Sequence, residues 1–236
     1  MRFKDTCLIL FLCALTGRAS ADKNDRFYVR AYGRFYADSV PYLNKGMELI
    51  EKGNWLGARG YFDAAIRIDK TIWPAYIDRA LVLEHAGQWG LALQDCDTAA
   101  HLRPDFYRTF IMRANIYLHI GRCRDGLTDL NRVISFHGNP ETDALALNGR
   151  ALLRAICRDA VREPKSALAD ANQACSLDAW SHASYIGTLG IAYAANGDFD
   201  DAIRYEQQAI NKGKYTDEEL RAAQQRIALY RRHQPL

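Results

Sequence analysis

The side chains with catalytic or metal-binding potential in this chain of 236 residues are six histidines, six cysteines and scattered carboxylates. His119 and Cys123 are four residues apart and could meet across one helical turn, but a closed zinc site needs four ligands. The sequence contains no G-x-x-x-x-G-K-S/T phosphate loop, no G-x-S-x-G nucleophile elbow and no H-E-x-x-H zinc motif. We therefore expect no metal site, no cofactor and no catalytic residue.

A second set of polar side chains could bind a ligand rather than transform one. Arg108, Asn115 and His119 are spaced by seven and four residues, so they share one face of a helix. Arg150 and Arg154 are four residues apart and share another face. Because arginine binds a carboxylate through two hydrogen bonds, these side chains could hold an acidic segment. The alternative is that they form a solvated, charged surface.

A repeat in the sequence supplies the elements that must position these side chains. Gly53, Gly87 and Gly121 are 34 residues apart, and Gly197 follows after 76. A small residue stands seven positions before each glycine, a leucine or tyrosine four before it, and an alanine or glycine five after it. Periods of this length indicate a repeat protein. The small residues before the glycines are Gly46, Ala80, Ala114 and Gly190, and Gly149 takes this place in the fourth of five copies.

Each of these intervals has a mechanical reason. Positions three and four apart lie on one helix face, a glycine in the left-handed conformation ends the first helix, and small residues let a second, antiparallel helix approach closely. The pattern resembles the tetratricopeptide repeat (TPR) over roughly residues 39–213. The resemblance implies an all-α fold, namely a right-handed α-solenoid of about five helix-turn-helix repeats with N- and C-terminal capping helices.

The two ends of the repeat region carry segments that we expect to cap it. In residues 214–236, the sequence from Thr216 to Glu219 is a capping box ahead of an amphipathic helix. Residues 22–38 also have helical periodicity, and we expect them to form the leading capping helix. The alternative is that their interleaved basic and aromatic residues bind lipid or single-stranded nucleic acid. One face of this predicted helix carries Tyr28, Tyr32 and Phe35, and another carries Arg26, Arg30 and Arg34.

The fourth repeat departs most from the pattern. The stretch CRDAVREPKS lengthens the turn between its two helices by about six residues, through neutral drift or as an added contact loop. Cys157 lies in this stretch, and Cys123 lies near the tip of the first helix in the neighbouring repeat. Export to an oxidising compartment would make a disulfide between them possible. Cys96 and Cys175 fall on second helices and are expected to be small core residues.

The resemblance also implies where a partner binds. TPR proteins usually hold an extended peptide or a helix in a concave groove that the first helices line. The groove positions lie one residue after each small residue, and Arg108, His119 and Arg154 lie beside them. The match to the family's carboxylate clamp fails in the first repeat, where Leu43 and Met47 replace a cation and an amide. The expected groove is apolar at its ends and polar in its middle, with Met47, Leu81, Asn115, Arg150 and Ile191 at these positions.

The N-terminus has the features of an export signal. Arg2 and Lys4 precede an apolar run from Cys7 to Leu15, and Ala19-Ser20-Ala21 is a small-x-small cleavage site. A retained membrane anchor, the alternative, needs about 20 apolar residues. Removal of residues 1–21 leaves 28 basic and 27 acidic residues, too balanced a charge for a nucleic-acid partner.

Together these features favour a noncatalytic protein-interaction scaffold, exported to the periplasm or the extracellular space, that binds a protein or peptide partner in the groove. The partner could carry an acidic segment. The alternative is an enzyme or enzyme subunit, hydrolase-like, that uses polar groove residues such as His119, Arg150 and Arg154.

We predict that the exported product begins at Asp22, because cleavage follows Ala21 in the small-x-small site. Mass spectrometry of the protein recovered outside the cytoplasm measures its N-terminus. Recovery of the chain in the membrane fraction with Met1 retained would show an uncleaved anchor instead.

Overall fold

The computed structural model describes residues 38–136, 138–157, 162–213 and 215–236. These residues form eleven α-helices and no β-strand, which confirms the all-α prediction for this part of the chain. The signal peptide and all of the expected capping segment before Asp38 lie outside the described residues. The helices are α1 (Val40–Glu51), α2 (Trp55–Ile68), α3 (Trp73–His85), α4 (Trp89–Leu102), α5 (Tyr107–Ile120), α6 (Cys123–Ser135), α7 (Pro140–Ile156), α8 (Pro164–Leu177), α9 (Ala183–Asn196), α10 (Phe199–Lys212) and α11 (Asp217–Tyr230).

The chain divides into two compact units, and the boundary falls between Ile116 and Tyr117, inside α5. Residues 38–116 contain the hairpins of α1 with α2 and of α3 with α4. Residues 117–236 contain the hairpins of α7 with α8 and of α9 with α10, followed by α11. Two or three residues connect the helices of each hairpin, except that residues 157–163 connect α7 to α8. The helix-turn-helix repeats predicted from the sequence are therefore present in both units.

The periodic glycines end first helices, as the repeat pattern predicts. Gly53, Gly87, Gly121 and Gly197 all have positive φ angles, between 68° and 93°. A residue with a Cβ atom rarely adopts this left-handed conformation, because the Cβ crowds the backbone. Each glycine therefore turns the chain from a first helix into its second helix.

The core of residues 38–116 consists of two apolar clusters, and α3 contributes to both. One contains Leu43, Phe62 and Val82, and the other contains Trp73 and Ile116. The small residue of the first repeat is required by this packing. A Cβ atom added to Gly46 would lie 2.7 Å or less from the buried ring of Phe62, too close for any real contact.

In residues 117–236, a buried ion pair attaches the last helix. Arg226 of α11 donates Nε and Nη2 hydrogen bonds to Glu206 of α10 at 3.0 and 2.6 Å, and both side chains are almost fully buried. Because a buried charge without its partner is costly, the pair fixes α11 against α10. Thr216 and Glu219 form the capping box expected at the start of α11.

A disulfide joins Cys123, at the start of α6, to Cys157, the residue that follows α7. Their Cα atoms are 6.4 Å apart, within the range that a disulfide can bridge. The bond ties the ends of two helices that are separated by 34 residues of sequence. Cys96 and Cys175 are unbonded and buried, and burial raises the pKa of the Cys175 thiol to about 12.

We predict that reduction of the disulfide lowers the free energy of unfolding by about 3 to 4 kcal/mol, because it restores conformational entropy to the unfolded chain. Urea unfolding of the oxidised and the reduced protein measures this difference. The double variant Cys123→Ala, Cys157→Ala should match the reduced protein. Alkylation of both cysteines in the unreduced, denatured protein would contradict the bond.

Candidate binding surface

Arg150 and Arg154, which the sequence places in the middle of the groove, bind an acidic side chain of the protein itself. Arg150, on α7, donates from Nε and Nη2 to the two carboxylate oxygens of Asp170 on α8, at 2.8 and 2.7 Å. Arg154 donates from Nη1 to the same carboxylate at 2.7 Å, and its Nε lies 3.4 Å from Glu163. Both guanidinium groups therefore hold α7 to the segment that contains α8.

Arg79 shows that this arrangement is a recurring structural contact. Arg79, on α3, donates to both carboxylate oxygens of Asp95 on α4, at 2.8 and 2.6 Å, and to Asp63 on α2 at 2.7 Å. Arg150 repeats this geometry, because its remaining Nη1 group donates to Asn131 on α6 at 2.8 Å. In both places an arginine on a first helix bridges the second helix before it and the second helix after it.

This match corrects the predicted register of the fourth repeat. Arg79 directly precedes the small residue Ala80, so the residue after Arg150, Ala151, is the small residue of its repeat. The helix ends agree, because α3 ends five residues after Ala80 and α7 ends five residues after Ala151. Gly149 was the wrong choice, and Arg150 consequently does not occupy a groove position.

The sequence contains a signal for the correct register that glycine spacing does not use. The Arg-Ala dipeptides at 79–80 and 113–114 are one period apart. Helix α7 carries two more, at 150–151 and 154–155, and only the first has its alanine five residues before the helix end, as in α3. Arg113 also makes the backward contact, from Nη1 to Asp97 on α4 at 2.8 Å. Glycine spacing failed here because the lengthened fourth turn has no glycine at the end of its first helix.

With the corrected register, Leu152 stands at the position that Arg150 was expected to fill. Of the five positions expected to line the groove, only Asn115 in the third repeat therefore remains polar. We use the term groove positions for the residues that directly follow the small residues of the first helices, which are Met47, Leu81, Asn115, Leu152 and Ile191.

Within residues 38–116, the predicted groove residues differ in their environment. Met47 and Leu81 are half-buried and pack against the two apolar clusters. Arg108 is exposed near the start of α5. Asn115 is 1% exposed, and its side-chain amide donates a hydrogen bond to Glu84 of α3. The structure therefore brings Asn115 next to an acid rather than next to a cation.

Glu84 and Asp78 on α3 are candidate functional residues that the sequence analysis missed. Burial raises the pKa of Glu84 to about 8, against the opposing effect of the Asn115 amide. Burial also raises the pKa of Asp78 to about 7, against the attraction of Arg108. One carboxylate oxygen of each has no hydrogen-bond donor among the described residues. In the sequence, Glu84 follows the groove position Leu81 by three residues and so lies on the same helix face. This spacing could have identified Glu84.

Within residues 117–236, Asn148 precedes Leu152 by four residues and lies on the same helix face. Its side chain is 1% exposed, and neither its Oδ1 nor its Nδ2 atom has a hydrogen-bond partner in the described part of the chain. The incorrect register had hidden this amide. His119, from the predicted polar set, is half-buried near the end of α5.

Ser181, His182 and Asp178 have the composition of a catalytic triad but not its geometry. Asp178 accepts hydrogen bonds from the His182 backbone N–H at 2.6 Å and from Ser181 Oγ at 2.8 Å. One ring nitrogen, Nδ1 of His182, faces both Asp178 and Ser181, whereas a triad uses the two opposite nitrogens. These side chains therefore order the turn that precedes α9.

The described ranges contain no group of three or more His, Cys, Asp or Glu side chains that could hold a metal ion. Of the helices in those ranges, none has the length and apolar character needed to cross a membrane.

Comparison with known proteins gives one match at the level of sequence and several at the level of fold. No family model matches the chain. Over 90 residues the chain is 30% identical to human sperm-associated antigen 1, and this match covers 38% of the chain. It covers 10% of the human protein, so the chain spans a small part of that relative's length.

Three solved structures resemble most of the chain. A TPR protein of Thermus thermophilus is 20% identical with a TM-score of 0.61, and the match covers 79% of this chain and 97% of that one. YrrB, described as a TPR protein with an unusual peptide-binding site, is 18% identical with a TM-score of 0.54, over 85% and 99%. PilF of Pseudomonas aeruginosa is 16% identical with a TM-score of 0.64, over 83% and 86%. The chain therefore has the fold of the tetratricopeptide repeat proteins.

Proposed function

We propose that this chain is a noncatalytic protein-interaction scaffold that binds an extended segment of a partner along its first helices. Two features support the proposal. The fold is that of TPR proteins, one of which is described as having a peptide-binding site. The half-buried groove positions, Met47 and Leu81, are apolar, and apolar surface with a few placed polar groups is typical of binding sites.

The observation that carries the proposal is the buried amide of Asn148. A side-chain amide can donate two hydrogen bonds and accept two, yet this one makes none with the described residues. Leaving such a group unpaired costs about 1 to 3 kcal/mol. An extended peptide offers both a backbone N–H and a C=O group, which would satisfy both ends of the amide. Asn148 would then recognise the partner's backbone.

We propose, in addition, that the scaffold works in the periplasm or outside the cell. The signal-like N-terminus supports export, and the pairing of Cys123 with Cys157 is compatible with an oxidising compartment. Disulfides are rare in the reducing cytosol, so export and the bond support each other.

A partner with an acidic segment has weaker support than the sequence suggested. Arg150 and Arg154 already share the carboxylate of Asp170, so a partner would have to displace an internal ion pair to bind them. Arg108 is exposed and remains a candidate for such a contact. The hydrolase alternative loses support for the same reason, since two of the groups it would use are occupied.

We predict that Asn148→Ala weakens the binding of a groove peptide by roughly tenfold, because two hydrogen bonds to the peptide backbone are lost. Peptides are first selected from a random display library on the immobilised chain. Calorimetry then compares their affinity for the wild type and for the variant.

The matched control is Asn172→Ala, which removes a half-buried amide on the second helix α8 that donates to the Leu168 carbonyl of its own helix. This control should leave the affinity unchanged. Equal affinities for the wild type and Asn148→Ala, or a failure to select any peptide, would contradict the proposed binding surface.

A further inference from the structure

A cavity within residues 117–236 contains none of the groove positions. Its volume is about 480 Å³, and it lies where the start of α7, the end of α8 and the start of α9 come together. Ala144, which lines the cavity, precedes Asn148 by four residues on the same face of α7. The cavity therefore adjoins the proposed binding surface but has its own set of side chains.

The polar side of this cavity is acidic. Glu141, in the first turn of α7, and Asp178, which directly follows α8, both line it. Glu141 is exposed to solvent. Among the described residues that line the cavity, none is a lysine or an arginine. The cavity therefore offers negative charge to a ligand.

A buried phenol also faces the cavity. Tyr185, on α9, is 5% exposed and lines the cavity, and its hydroxyl makes no hydrogen bond with the described residues. Burial raises the pKa of Tyr185, and the negative charges of Asp178 and Glu141 raise it further, so the hydroxyl stays protonated. Buried hydroxyl groups are normally hydrogen-bonded, so this one indicates a ligand that supplies a polar group.

The rest of the wall is apolar. Pro140, Ala144 and Leu177 supply carbon surface to it, and Leu177 is 39% exposed. An apolar wall beside a few placed polar groups is typical of a binding site, whereas a solvated acidic surface has no need of one.

The turn between α8 and α9, which adds Ala179 to this wall, is fixed by the fold. Ala179 and Trp180 have positive φ angles of 49° and 59°, which are uncommon for residues with a side chain. The Trp180 N–H donates to the Cys175 carbonyl at 2.8 Å, and the His182 N–H donates to the Asp178 carboxylate at 2.6 Å. These hydrogen bonds shape the cavity before any ligand binds.

The chemistry of the cavity selects a lysine side chain. A lysine ammonium group has three donors and no acceptor, so it can donate to Glu141, Asp178 and the Tyr185 oxygen together. Its stem can lie along the apolar wall, as the stems of long basic side chains do. A metal ion would leave that wall unused. A guanidinium group has its donors in one plane, which suits a single carboxylate better than three separate groups.

We propose that this cavity binds a lysine side chain of a protein partner. A partner segment that follows α7 past Asn148 can place a lysine there. The site makes the chain select a basic residue at a fixed place, which is the opposite of the acidic segment that the sequence suggested. The proposal does not rest on the groove, because it uses neither Asn148 nor a groove position, and either site can fail without the other.

The test is an NMR titration of the whole chain with the tripeptide acetyl-Gly-Lys-Gly-amide. We expect saturable shifts of backbone amides at the start of α7 and in the turn between α8 and α9, with a dissociation constant in the millimolar range. The matched tripeptide carries Nε-acetyllysine, which keeps the stem and removes the charge. It should bind roughly tenfold more weakly, because the charge-assisted hydrogen bonds are lost.

Two variants locate the site. Glu141→Gln removes one charge from an exposed side chain, so it should keep the fold and weaken binding of the lysine tripeptide roughly fivefold. Tyr185→Phe removes only the hydroxyl and should weaken binding about threefold. The matched control is Glu218→Gln, at an exposed carboxylate in the first turn of α11, which should leave the affinity unchanged.

Equal affinities for the lysine and the acetyllysine tripeptides would show that the cavity does not recognise a cation. Shifts that fail to saturate, or an affinity that is the same in the wild type and in Glu141→Gln, would place the lysine elsewhere. Tighter binding of the corresponding arginine tripeptide would overturn lysine as the occupant.

Discussion

Close approach of two helices at a small residue is the contact on which each helical hairpin depends. In the first repeat, a methyl group on Gly46 would overlap the ring of Phe62. In the fifth, a Cβ atom on Gly190 would lie 3.1 Å from the backbone oxygen of Ala202. A larger residue would force the helices apart or unpack the core. Because each helical residue turns the chain by about 100°, the next side chain points away from this contact. The groove positions follow from that geometry.

The bridging arginines add a polar constraint to the same first helices. Arg79 and Arg150 each stand one residue before the small residue, and each binds acidic or amide groups on second helices. Partly buried ion pairs of this bidentate kind are specific in geometry, so they fix how the helices of successive hairpins meet. The cations of α3 and α7 are thereby used inside the fold. No cation remains at the groove positions, of which Met47 and Leu81 are half-buried and the other three are buried.

Most of the fold was predictable from the sequence, because glycines with positive φ angles and small residues at fixed intervals have few structural alternatives. The period of 34 residues located the hairpins, and the Thr216 capping box located the start of α11. The binding surface was less predictable. Arginine spacing indicated a shared helix face for Arg150 and Arg154, but it could not show that Asp170 already binds both. The partner of a long side chain depends on helices that are distant in sequence.

The fourth repeat shows how a small error in register changes a functional interpretation. Shifting the small residue from Gly149 to Ala151 exchanges a basic groove position for Leu152 and places Asn148 on the same helix face. An arginine precedes Ala80, Ala114 and Ala151 alike, but one also precedes Ala155 on the same helix, so this signal by itself leaves two registers open. Buried acids such as Glu84 are harder to foresee, because charged residues in a helix pattern are usually solvated.

Arg150 holds neighbouring helices together through Asp170 and Asn131, and we propose that it does not bind the partner. Urea unfolding and peptide calorimetry of Arg150→Met separate these two roles, because methionine keeps the apolar stem and removes the guanidinium. We expect a loss of about 1.5 to 3 kcal/mol in the free energy of unfolding, from the hydrogen bonds to Asp170 and Asn131, with peptide affinity unchanged in the folded protein. Unchanged stability together with a loss of peptide affinity would instead place Arg150 in the binding surface.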